Sequence, residues 1–535
     1  MHMQIPVTLN GTAQALDGRI YLGTWEVRDD EIVMTDPRVP VSGDTGGIGL
    51  GVRASGDFNL ECEFILDKAR DAGAGGPVIS FYAQPDGAHY DFRYVSYFNA
   101  GVLQKKTVGQ PWQEIGYAAD VALPESVWHA LKLTVRGDTF SVSVNGQEIV
   151  SARDASFSAG QFGLGCTVRP VRYRNVRMAG GDLATAPVWS PPGDTQIRVI
   201  CADAGMGGYQ GFPSVCRLQD GDLLCAFYAG WGHTAASGEG QRPNGGAVAL
   251  CRSTDDGNTW SPATIVFDGP FDDNGVNIWQ YDDGTVRMAV YSIDHQAWPT
   301  MQDYFHYYSV TSNDGGRTWS EIATMQFGDM HIGAYSPWSS PYRLANGEWL
   351  WPVYWAGGAA GSHCTQWVFH AGFSRSVDGG HTWGQVEYIE AQESYMNEGD
   401  LCQFPDGSII CIVRDERQHM WQTWSRDDGH TWSAPAQLPW YGHCPNLLRT
   451  RSGITLLVHR VPGVCVRYSL DDAKTWAGAV MIDSAGGAYS SMVELEDGRV
   501  LITYYTEGDR SQIRAQVLDV SATGIRSLDI ASNKR

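Results

Sequence analysis

Five copies of one short motif, Ser-x-Asp-x-Gly-x-Thr-Trp, constrain this chain more than any other feature. They run from Ser253 to Trp260, Ser312 to Trp319, Ser376 to Trp383, Ser425 to Trp432 and Ser469 to Trp476, with starts 44 to 64 residues apart. A period of that size matches one four-stranded propeller blade with variable loops. The fifth copy carries Ala473 where the others have Gly257, Gly316, Gly380 and Gly429. The residue types suit a tight turn: Asp accepts backbone N–H groups, Gly takes a positive φ, and Trp packs between strands. The boxes therefore read as structural staples and not as chemistry.

A second element recurs beside them, two apolar strands around a turn. The copies are Phe212 to Tyr228 around Asp220-Gly221, Gly275 to Tyr291 around Asp283-Gly284, and Ser340 to Trp355 around Asn346-Gly347. They continue with Glu398 to Arg414 around Asp406-Gly407, Cys444 to Arg460 around Ser452-Gly453, and Tyr489 to Tyr505 around Asp497-Gly498. Asp-Gly and Asn-Gly between apolar runs are strong hairpin signals. Six hairpins predict six blades; with only five boxes, the last blade is expected to close by pairing with the strand Gln196 to Ala202.

Residues 1–178 carry no box and read as a separate β-sandwich of jelly-roll type. Asp57 to Leu66, Val78 to Tyr82, Val127 to Val135 and Thr139 to Val144 are strand-like, and Asn145-Gly146 is a hairpin turn. The closing run Gly160 to Gly165 through Val171 to Val176 resembles the end of a concanavalin-like or laminin-G-like sandwich, which implies a carbohydrate-binding accessory module. Residues 179–194, with Pro187, Pro191 and Pro192, read as a linker. The expected fold is all-β throughout: sandwich, linker, then a six-bladed propeller over 195–535. The 63 Gly, 20 Trp and 24 Tyr fit such a turn-rich, aromatic-rich chain.

A net charge of −22 argues against nucleic acid as a partner, and no segment is apolar enough to span a membrane. Met1 to Leu16 lacks the basic start and apolar core of a secretory signal, although Met1-His2-Met3 leaves a removed leader open. Cys216, Cys225, Cys251, Cys402, Cys411 and Cys465 sit within apolar strands as expected for buried thiols, which favours a cytoplasmic location. No cysteine pair has metal-ligand spacing, and no cofactor is expected.

With these boxes and six hairpins, residues 195–535 resemble the sialidase (neuraminidase) superfamily, whose members remove terminal sialic acids with retention of configuration. The anomeric carbon of such a sugar bears a carboxylate, which would repel an anionic nucleophile; a Tyr activated by a neighbouring Glu attacks instead. Three arginines hold the carboxylate through guanidinium forks. The run Asn397 to Arg414 resembles the segment that opens with the activating Glu and ends with a cluster Arg, implying those roles for Glu398 and Arg414. Gly487 to Val493 resembles the nucleophile segment, so Tyr489 is the implied nucleophile. Arg460 lies where another cluster Arg belongs, and Arg467 is expected to face solvent. Glu398 and Tyr489 each begin a hairpin, so both should converge on the axial pocket.

The pattern departs from the family in two places. Gly211 stands where the first cluster Arg belongs, and the loop Gly230 to Gly246 contains no Asp to protonate a leaving group. His233 or Glu239 could serve as that acid, Arg242 could replace the lost charge, and Asp272 and Asp273 are further acid candidates. The resemblance thus implies an exo-acting retaining glycoside hydrolase whose partner is an acidic oligosaccharide or glycoconjugate. The sugar released would be a sialic acid, a related 2-keto-3-deoxy sugar or a uronic acid. Two alternatives stand beside it. One is β-elimination on a uronic-acid glycan, with His233, His331 or His443 at the substrate as base and Tyr489 and Arg414 assisting. The other is a non-catalytic glycan-binding protein.

Overall fold

The computed structural model describes residues 2–527 apart from residue 23 and segments 37–45, 67–75, 85–87, 97–98, 108–111, 167–170, 186–196, 236–243, 298–303, 326–333, 338, 359–366, 390–395, 416–418, 461–463, 484–487 and 507–510. Strands dominate it. Among the described residues the helical element is one short 3₁₀ turn, His295–Ala297. The chain divides into two compact units: Met1–Gln196 with Pro462–Cys465 and Ala479–Gly486, and Ile197–Val461 with Val466–Gly478 and Gly487–Arg535.

The first unit is a sandwich. One sheet runs Glu31–Asp36, Val171–Gly180, Phe58–Leu66, Trp128–Arg136, Thr139–Val144, Gln147–Arg153. The other runs Thr12–Leu22, Gly46–Ser55, Ala159–Cys166, Pro77–Ala83, His89–Val95, Ala100–Lys106, Trp112–Ala118. Alternation explains the core: Phe58, Leu60, Cys62 and Phe64 point inward from one strand and pack with Phe81, Tyr90, Phe92, Phe140 and Phe162. The segment read as a linker begins inside this unit, because Val171–Gly180 continues the sheet past residue 178 and Ala184–Thr185 pairs with Gly46–Ser55.

All six hairpins form in the second unit, each turning at a glycine of positive φ: Gly221, Gly284, Gly347, Gly407, Gly453 and Gly498. The expected ring closure is present as Arg198–Cys201 paired antiparallel with Ile513–Ser521, the third strand of the last blade. The boxes are the turns between outer strands. In the first, Gly257 N donates to Ser253 Oγ at 2.9 Å, while Thr259 N and Thr259 Oγ1 donate to the Asp255 carboxylate at 2.8 and 2.6 Å. The degenerate box keeps this geometry with Ala473 at φ 61°, and its N still donates to Ser469 Oγ at 2.9 Å.

Blades are tied together by side chains of their innermost strands. Asp400 accepts from Leu447 N at 2.7 Å and from Asn446 Nδ2 at 2.9 Å, both one blade along, and from Leu401 N at 2.9 Å. Burial outweighs these bonds and pushes its carboxyl up to about 7. A carboxyl raised in the fold retains its proton where the unfolded chain has lost it. Its contribution is therefore complete below about pH 4 and is lost as pH rises to about 7. Asp273, pushed up by burial to about 8, acts in the same sense. His443 and His459, held neutral by burial, act oppositely below their ordinary range. Asp400→Asn is expected to gain stability relative to the parent by a few kcal/mol between pH 4.5 and pH 8. Urea midpoints at the two pH values check this, and a difference constant with pH would contradict it.

Candidate active site

One irregularity recurs at the start of the innermost strands. Pairing shifts register between Gly211 and Ser214, Asp272 and Gly275, Met396 and Gly399, His443 and Asn446, and Ala488 and Ser491. Such bulges re-aim side chains at the end of a strand. Three bulge residues, Phe212, Cys444 and Tyr489, adopt positive φ of 55°, 55° and 42°, an arrangement that non-glycine residues hold only under constraint from their surroundings.

The bulges bring together Tyr489, Glu398, Arg414, His443 and Arg460, all buried. Tyr489 Oη donates to Glu398 Oε1 at 3.1 Å, and Arg414 Nη1 lies 3.5 Å from the same phenol. Arg414 Nε sits 3.0 Å from Glu398 Oε2 and donates to Asn397 Oδ1 at 2.9 Å. The Arg460 guanidinium lies 5.0 Å from the centre of the Tyr489 ring. His443 Nδ1 accepts from Arg414 Nη1 at 2.9 Å and faces Arg460 Nη2 at 3.4 Å. An arginine can only donate, so this nitrogen carries no proton, and His443 is a neutral spacer between two cations. Burial first, and then both guanidiniums, drive its pKa well below the ordinary value.

Burial likewise lifts the Tyr489 phenol well above its ordinary value, with Cys444 and Glu398 adding to the effect and the guanidiniums opposing it. The phenol thus needs a base, and Glu398 is in hydrogen-bond contact with it. The other side of the tyrosine is aromatic: its ring stacks on Tyr505 at 6.0 Å and meets Phe212 edge-on at 5.4 Å. Tyr489 also borders a cavity of about 590 Å³ along the innermost strands, lined by Ser214, Asn277, Ser340, Asp400 and Ser490 among others.

The remaining sequence candidates fare differently. His233 is exposed, 5.0 Å edge-on from Phe212. Asp273 is fully buried and faces its own blade, accepting from Ser292 Oγ and Gly269 N at 2.6 Å each, which removes it from contact with a bound sugar. Arg467 is half-buried, against the expectation of a solvent-facing residue: its Nε lies 3.2 Å from His459 Nε2 and its guanidinium lies over Trp440. Glu239, Arg242 and His331 lie outside the described residues. A side chain at Gly211 would require the Tyr209 ring to shift, since an added Cβ would stand 2.9 Å from it, with Tyr505 at 3.6 Å. The sequence assigns Asn397 no role, yet it also accepts from Glu398 N at 2.7 Å and so joins the acid to the arginine. Its place immediately before Glu398 at a hairpin start was the available signal.

Comparison with known proteins addresses both units. A family model described as a BNR repeat-like domain matches residues 221–502, and one described as a 3-keto-alpha-glucoside-1,2-lyase-like domain matches residues 8–179. A sialidase of Micromonospora viridifaciens is 26% identical over 370 residues, covering 60% of this chain and 54% of that protein. The chain therefore spans about half the length of this curated relative. A protein of unknown function from Dyadobacter fermentans superposes with TM-score 0.51 at 20% identity, over 61% of this chain and all of that one, a likeness of fold. A mutant NanB sialidase from Streptococcus pneumoniae aligns at TM-score 0.48 and 12% identity over 89% of this chain and 95% of that one.

Proposed function

The chain belongs to the family of BNR repeat-like domains, and from that premise we propose that it is an exo-acting glycoside hydrolase releasing a terminal acidic sugar with retention of configuration. One observation carries the reading: a buried phenol donates to a carboxylate, one guanidinium contacts both, and a second lies over the phenol ring. Two cations and one carboxylate leave the cluster a net positive charge, which suits an anionic substrate. Likeness to a named sialidase supports the same class.

In the proposed reaction Glu398 takes the phenolic proton as Tyr489 Oη attacks the anomeric carbon, and the bond to the leaving oxygen breaks. A neutral phenol approaching an anionic sugar avoids the repulsion a carboxylate nucleophile would meet. Arg414 and Arg460 hold the sugar carboxylate. Water then displaces the tyrosine, which regains its proton from Glu398, and two inversions yield net retention. With Gly211 in place of a third arginine, carboxylate binding is weaker by one charge-assisted contact, about 1.5–3 kcal/mol, so acidic sugars beyond sialic acid belong in the test.

Incubation with a panel of sialosides, other 2-keto-3-deoxy glycosides and uronides, read by mass spectrometry, is expected to give products that together gain the mass of one water. Fragments of unchanged total mass would establish elimination instead. Absence of product from every member would favour a glycan-binding protein.

A further inference from the structure

We infer that His233 is the proton donor to the leaving group, held in place by a clasp from the neighbouring blade. The inference rests on the hydrolase reading. An unactivated sugar alkoxide leaves slowly unless it is protonated, so such a site requires an acid. Among the described residues around Tyr489 the other candidates are committed. Glu398 is bound to Tyr489 and Arg414, and His443 is a neutral spacer between two cations. Burial raises the Cys444 thiol to about 12, and Asp273 is sealed in its own blade.

His233 is exposed and shares a contact with the nucleophile: both rings meet Phe212 edge-on, at 5.0 and 5.4 Å. The imidazole and phenol ring centres are therefore no further apart than those two contacts laid end to end. Its position is fixed from two sides. Tyr209 Oη lies 2.9 Å from His233 Nδ1, and Asn274 Nδ2 donates to His233 O at 2.8 Å, itself oriented by Tyr291 Oη at 3.1 Å. Two residues after His233, Ala235 N donates at 2.8 Å to the fully buried Asp272, which also accepts from Gly246 N at 2.8 Å and Tyr228 Oη at 3.0 Å, with His295 Nε2 at 3.1 Å. Four partners use the carboxylate fully, so Asp272 is a positioning residue and not the acid. The second blade thus supplies the clasp, and the segment that lacks an Asp supplies a histidine.

As the Tyr489 Oη–carbon bond forms and the glycosidic carbon–oxygen bond breaks, the His233 imidazolium passes its proton to the departing oxygen. The neutral ring then takes a proton from the water that attacks the tyrosyl–sugar bond, so the histidine is regenerated and one water is consumed.

The test is a matched pair built on whichever sugar the panel releases, one carried on 4-nitrophenol and one on a galactose hydroxyl. Nitrophenolate leaves without protonation. His233→Gln is expected to lose 10²–10⁴-fold in kcat on the galactoside and less than about fivefold on the aryl glycoside. Tyr209→Phe, which keeps the ring and drops the hydroxyl, is expected to lose about tenfold on the galactoside alone. Equal losses on the two substrates for His233→Gln would overturn the assignment. Tyr489→Phe must fail on both, which separates acid from nucleophile. If the wild type turns over nothing on the panel, the hydrolase reading fails first and this inference falls with it.

Discussion

Tyr489→Phe is expected to lower turnover on the order of 10³-fold while the protein remains folded. The substitution removes one oxygen and leaves the ring, so the stack on Tyr505, the edge contact with Phe212 and the approach of Arg460 all persist. The lost hydrogen bond to the Glu398 carboxylate costs about 1.5–3 kcal/mol of stability, too little to unfold a ring of this size. Binding of the acidic sugar survives, because the arginines are untouched; the loss should fall on kcat with KM little changed. Steady-state kinetics beside a urea titration check this. A variant with parental kcat would remove Tyr489 from the chemistry.

Arg414→Ala should give the largest loss of stability in the site, about 3–5 kcal/mol near pH 8. Glu398 is 4% exposed and Arg414 Nε is 3.0 Å from its carboxylate. Truncation leaves an ionised acid in a dry site without its nearest cation, and takes one of two donors from Asn397 Oδ1. Pairing the change with Glu398→Gln should recover much of the loss, because a neutral amide no longer needs the cation. Urea denaturation of the single and double variants at pH 8 is the measurement; a deficit below about 1 kcal/mol for Arg414→Ala would show that the pair is effectively solvated.

Local signals carried much of the fold. Asp-Gly, Asn-Gly and Ser-Gly turns located all six hairpins because positive φ is a property of the residue at the turn, and the missing sixth box pointed to the closing strand Arg198–Cys201. The sandwich was less legible. His2–Leu9 and Thr12–Leu22 pair around Asn10-Gly11, a turn signal overshadowed by the question of a leader sequence, and the glycine-rich Gly46–Ser55 has a weak strand pattern. In the site, motif resemblance brought Tyr489, Glu398 and Arg414 together, but bulges are set by inter-strand register and leave no residue code. That is why Asp273 looked like an acid when the bulge buries it against Ser292, and why the clasp by Asp272 was invisible. Arg467 was misjudged because its partners His459 and Trp440 belong to strands that only the fold brings alongside it.

The account stands on a covalent bond between sugar and Tyr489, and that bond can be trapped. A substrate analogue bearing fluorine beside the anomeric carbon and fluoride as leaving group destabilises both transition states while keeping the first step feasible, so the intermediate accumulates. Intact-protein mass spectrometry followed by peptide mapping should find one sugar on the peptide containing Tyr489, and none on Tyr489→Phe. An enzyme that releases sugar yet shows no adduct, or carries it on another residue, would contradict the account.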